Sequence, residues 1–122
     1  MKGPLQEPHV RVRAWIAWDD SATVGPGRAA LLEAIGRLGS ITKAAQELHV
    51  SYRTAWKWIR MLNRAAGGPL VEAAPGGVGG GGARLTALGK AVLEAHRRLA
   101  EEVVSFVERA NRVVQTALGG RG

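Results

Sequence analysis

A chain of 122 residues with 46% apolar and 22% charged content can bury one ordinary core, and none of its apolar runs approaches the ~18 residues of a membrane-spanning helix. Its 17 Lys and Arg against 10 Asp and Glu leave a formal charge of +7, which favours a polyanion: DNA, RNA or an anionic surface. Cysteine is absent, so disulfides and thiolate metal sites are excluded; His9, His49 and His96 are scattered, and no metal or other cofactor is expected.

Residues 1–9 hold two prolines and no periodicity, and read as a loose tail. They show no apolar stretch of a signal peptide, so the expected address is the cytoplasm. From Val10 to Trp18 the pattern alternates, with Val10, Val12, Ala14, Ile16 and Trp18 on one face and Arg11 and Arg13 on the other. Period two predicts a half-buried strand, ended by Asp19-Asp20-Ser21.

After Gly25-Pro26-Gly27 a helix is predicted over 28–38, with Leu31, Leu32, Ile35 and Leu38 inward and Gly39 as its C-terminal cap. Ser40 caps a second, short helix that turns Ile41, Ala44, Ala45 and Leu48 inward. His49-Val50 forms a tight turn, although glycine is more usual there than histidine. Ser51 then caps a third helix, ended by Gly67-Gly68-Pro69.

Leu70–Ala73 and Ala83–Leu85 read as two short strands around a tract with glycine at six of the seven positions 76–82. Strand-like residues on both flanks favour a hairpin with a glycine-rich tip over a plain linker. Thr86 caps a long helix reaching about Leu118, roughly 45 Å at 1.5 Å per residue. Its apolar seam includes Leu99, Val103, Phe106, Ala110 and Val113, at coiled-coil-like spacing. Such a helix overhangs a small domain, so the seam needs a partner. A homodimer through these five residues is expected, with its recognition elements about one DNA turn, ~34 Å, apart.

Three short helices, a hairpin and a long helix give a mainly α fold with a small β component: a winged helix-turn-helix with a long C-terminal dimerisation helix. The expected boundaries are a tail at 1–9, the DNA-binding domain at 10–86, the dimerisation helix at 87–118 and a second tail at 119–122. Ala45 supplies the small residue a helix-turn-helix needs where its two helices cross. At about 100° per residue, Ile59, Leu62 and Ala66 fall within about 40° of Ala55 on the third helix. Arg53, Lys57, Arg60 and Arg64 lie about 140–200° away on the opposite side. Glu47 is the only acid between 40 and 66, so this outer stripe is read as facing DNA rather than as an ordinary solvated face. Ser51, Tyr52 and Thr54 lie at the entering N-terminus, and Lys43 and Arg84 are expected on phosphate. Trp56 flanks the stripe with two readings open: packing on sugar or thymine methyl groups, or filling the gap between helix and wing. Trp58 is read as core.

The segments Ala44-Ala45, Ser51 to Lys57, Asn63-Arg64, Pro69-Leu70-Val71, Gly76-Gly77, Gly79 to Ala83 and Leu85-Thr86 with Gly89 resemble the N-terminal DNA-binding domain of ModE-type molybdate-responsive regulators. Gly25-Pro26-Gly27-Arg28 through Ile35 looks like that family's opening helix, so the resemblance covers about residues 10–100. More distantly the chain is similar to LysR-type domains, which share the AAxxL pattern. The resemblance implies a dimeric winged-helix reader of double-stranded DNA, a bacterial-type transcription regulator. The oxyanion-binding barrels of full-length regulators of this kind have no counterpart in these residues, so molybdate binding is not expected of this chain alone.

Other classes fit less well. Asp19-Asp20 is a lone acidic pair at a strand end, and Gly89-Lys90 lacks both the upstream glycine and the following hydroxyl of a phosphate loop, so no enzyme is expected. A protein-interaction module built on the long helix is the alternative. Attachment to a membrane surface is not expected, because Glu94, Glu101, Glu102 and Glu108 interleave the cations of that helix.

Overall fold

The structure, a computed structural model, describes residues 7–75 and 82–119. The tip of the expected glycine-rich hairpin, at 76–81, lies outside the described residues. The chain divides into two compact units: Trp15–Arg97, and the residues up to Ala14 together with those from Arg98 onward.

The first unit opens with a two-residue ladder, β1 (Ile16–Ala17) antiparallel to β2 (Thr23–Val24). The Asp19 carboxylate turns the connection by accepting from the Ser21 and Ala22 amides at 2.8 and 2.7 Å. This ladder corrects the strand expected over Val10–Trp18. Gly25 and Pro26 start a helix directly after Val24, so β1 has only two partner residues, and the chain before Ile16 finds no ladder in this unit. Trp15 is accordingly 54% exposed, its indole lying against the bare Cα of Gly25.

α1 (Pro26–Leu38) has proline in its first turn, where a missing N–H costs nothing, and ends at Gly39 in the left-handed conformation with φ 69°. α2 (Ile41–Glu47) is capped by Ser40 and α3 (Tyr52–Ala65) by Ser51, as their positions predict. Between them His49 adopts φ 57°. β3 (Val71–Ala74) and β4 (Gly82–Leu85) pair antiparallel, which makes the expected hairpin the wing. The Ala83 amide donates to the Gly39 carbonyl at 3.0 Å, tying the wing to the end of α1. One core joins these elements: Leu31, Leu32 and Ile35 of α1, Ala44 and Ala45 of α2, Ile59 and Leu62 of α3, Leu70, and Val92 of the last helix.

That helix, α4 (Ala87–Val114), runs for 28 residues and continues into a wider turn over Gln115–Gly119. Within the second unit the N-terminal chain hydrogen-bonds to it. The Val10 amide donates to Asn111 Oδ1 at 2.6 Å, and Gln115 Nε2 donates to the Pro8 carbonyl at 3.3 Å. The Val10 backbone thus finds a side-chain acceptor where the alternating pattern predicts a strand. Among the described residues no helix is long and apolar enough to cross a membrane, and no cluster of His, Asp and Glu is suited to a metal ion.

Candidate nucleic-acid interface

α3 separates its two faces by chemistry. Ala55, Ile59 and Leu62 are buried, while Arg53, Lys57, Arg60 and Arg64 are exposed on the other side. Among the described residues none of these four cations pairs with a carboxylate. The four, with Tyr52, Trp56 and Met61, line a surface concavity of about 730 Å³.

The aromatic pair shapes that concavity. Tyr52, 52% exposed, stands edge-on to Trp56 with ring centroids 6.2 Å apart. The Arg60 guanidinium lies 5.8 Å from the Trp56 ring centroid, within cation–π range. Trp56 is half-buried against the core cluster, so the indole anchors the middle of the stripe and helps to orient Arg60. Trp58 also packs on the core, with the Arg28 guanidinium 5.4 Å from its ring. Arg28 itself donates to the carbonyls of Ser21 and Thr23 at 3.1 and 2.9 Å, clamping the β1–β2 turn.

At the N-terminus of α3 the Ser51 hydroxyl accepts from the Thr54 amide at 3.0 Å and donates to Thr54 Oγ1 at 2.9 Å. Both side chains are thereby committed to the cap, and the first-turn amides of Tyr52 and Arg53 are left for an outside acceptor. Lys43 is exposed on α2. Arg84 is exposed on β4, where its Nε donates to Glu72 Oε1 at 2.9 Å. Of the expected seam, Leu99, Val103 and Ala110 are half-buried in the second unit, while Phe106 and Val113 are 50% and 68% exposed.

Several positioning residues escape a reading by composition and period. Asn63 Oδ1 accepts from the Leu70 and Val71 amides at 2.8 and 3.4 Å, and Nδ2 donates to the Val71 carbonyl at 3.3 Å. This fork fixes the root of the wing against α3. The available signal was an amide side chain about 80° from Ala55, at the border of the buried face. Arg37 joins α1 to α2, with Nε 3.2 Å from Glu33 Oε2 and Nη1 3.2 Å from Glu47 Oε1. Donating hydrogen bonds to Glu47 and then to Glu33 raises the Arg37 pKa, and Arg37 in turn lowers that of Glu47. The Ala22 and Ser21 amides lower the pKa of Asp19.

Residues 28–90 match the family described as bacterial regulatory helix-turn-helix protein, LysR family. The molybdenum-pterin-binding protein MopB of Rhodobacter capsulatus is 48% identical over 75 residues, covering 62% of this chain and 28% of MopB. The molybdenum transport protein ModE of Azotobacter vinelandii is 37% identical over 102 residues, 84% of this chain and 38% of ModE. The chain thus spans well under half the length of these relatives. Among solved structures, the CbnR DNA-binding domain in its complex with DNA superposes with a TM-score of 0.57 at 28% identity, covering 70% of this chain and 93% of that one. The match over 28–90 takes in α1 to α3, the described strands of the wing and the start of α4, and the chain belongs to the LysR family of bacterial regulatory helix-turn-helix proteins.

Proposed function

We propose that this chain is a sequence-specific reader of duplex DNA that regulates transcription, with α3 in the major groove and the wing along the backbone. The observation that carries the reading is the outer face of α3: four exposed cations without a carboxylate partner among the described residues, around the exposed Tyr52 and the half-buried Trp56. Arg53, Lys57 and Arg60 take the main contacts, Tyr52 and the α3 N-terminus approach the backbone, and Lys43 and Arg64 meet phosphate. The DNA-bound neighbour with the same fold supports this docking. The chain acts as a homodimer, through the seam of α4 that leaves Phe106 and Val113 open. This assigns DNA reading to 10–86 and pairing to 87–118.

Sites selected from random duplex DNA give the operator, and a palindrome is the expected outcome. On that operator, losing a base-reading side chain costs ~1–3 kcal/mol at one position, whereas losing a phosphate contact weakens all sequences alike. An unchanged operator affinity for Arg53→Ala combined with Lys57→Ala overturns the proposed docking.

A further inference from the structure

We infer that Glu72 sets the specificity of the wing by occupying Arg84, so that a DNA phosphate must displace its carboxylate before this cation contributes to binding. The inference rests on the DNA-reading function proposed above. Between residues 48 and 93 the sequence has six cations, Arg53, Lys57, Arg60, Arg64, Arg84 and Lys90, and a single acid, Glu72. That acid stands directly opposite Arg84 in the β3–β4 register. The Arg84 Nε–Glu72 Oε1 distance is 2.9 Å. Both side chains are exposed on one face of the hairpin, while Val71, Ala83 and Leu85 turn to the core.

The chemistry makes the carboxylate a stand-in for phosphate, since guanidinium groups bind either anion through the same N–H donors. A phosphate contact carries no sequence information and adds to binding anywhere on DNA. While Glu72 holds Arg84, a loosely bound chain gains little from this cation. When α3 is seated on its base sequence, the wing is held against the backbone and exchange becomes favourable. An exposed pair is weak enough for that exchange. The unpaired stripe of α3 gives general attraction, and the masked cation of the wing responds to correct docking.

The test uses the full chain, a short mixed-sequence duplex and a titration over salt concentration. Glu72→Gln is expected to strengthen this sequence-independent binding about 2- to 5-fold, the range set by an exposed ion pair. It should also steepen the dependence of log affinity on log salt by about 0.9, the value for one added phosphate contact. In an Arg84→Gln background the same substitution should give neither change. Unaltered affinity for Glu72→Gln, or an equal gain in both backgrounds, overturns the inference while leaving DNA reading intact. A wild-type chain that binds no duplex, selected or mixed, overturns both.

Discussion

Leu48, His49 and Val50 carry the chain from α2 to α3, and the turn closes through the Val50 amide, which donates to the Ala45 carbonyl at 3.0 Å. A turn this short needs a left-handed residue, and His49 supplies it at φ 57° although its Cβ disfavours that conformation. The histidine side chain is exposed. His49→Gly should therefore remove backbone strain and keep the fold. The glycine also leaves the unfolded chain more freedom, so the net gain is about 0.5–1 kcal/mol. A higher urea midpoint at unchanged slope is the expected result, and a lower one would show that the imidazole carries an interaction of its own. This turn was legible in the sequence, because the caps Ser40 and Ser51 bracket it and a helix-turn-helix leaves few residues between them. The Asn63 fork was not. Its partners, the Leu70 and Val71 amides, come near only once the wing folds back on α3, and no local pattern encodes that approach.

Among the elements, the wing depends on the first turn of α4. Thr86 Oγ1 donates to the Pro69 carbonyl at 2.7 Å and accepts from the Gly89 amide at 3.0 Å, while the Thr86 amide donates to the Leu70 carbonyl at 3.0 Å. A Cβ added at Gly89 would lie 2.1 Å from the Leu70 carbonyl oxygen. Backbone blocks that position, and the same Leu70 is held by Asn63 on its other side, so the segment has little room to yield. Gly89→Ala is expected to cost at least ~1–3 kcal/mol, as overpacking does, and to lower the melting temperature clearly. A melting curve that overlays the wild type would mean that the wing root is looser than these contacts describe. Such a close approach explains why element order could be read from the sequence and the wing's seat could not. Period and caps report on one helix or strand at a time, whereas this contact joins Leu70 to Gly89. The N-terminal chain shows the converse. Its alternation from Val10 to Trp18 met the local criterion for a strand, yet a strand also needs a partner, and β2 offers two residues.

For the whole molecule, pairing in the proposed dimer rests on α4. Phe106 and Val113 are 50% and 68% exposed on one stripe of α4, which is the surface a second copy would bury in the proposed dimer. Phe106→Asp replaces the aromatic ring of that seam with a charge, whose burial against a second copy is costly. Sedimentation should then show a monomer, and an unaltered dimer would place the interface elsewhere. Several relatives are named for molybdenum, among them MopB and ModE, so an oxyanion effector has to be weighed for this chain also. Selective oxyanion binding needs a dry, preformed set of N–H, hydroxyl and cationic donors. Among the described residues no polar or charged side chain is buried, and the cations of α3 lie open to water. Exposed cations attract any anion weakly and lose that attraction as salt rises. Molybdate should therefore compete with DNA no better than sulfate at equal ionic strength. Calorimetry of the 122-residue chain is expected to give no saturable heat with molybdate or tungstate. Saturable micromolar binding that also shifts operator affinity would place a preformed oxyanion site on this chain, for which the described side chains provide no dry set of donors.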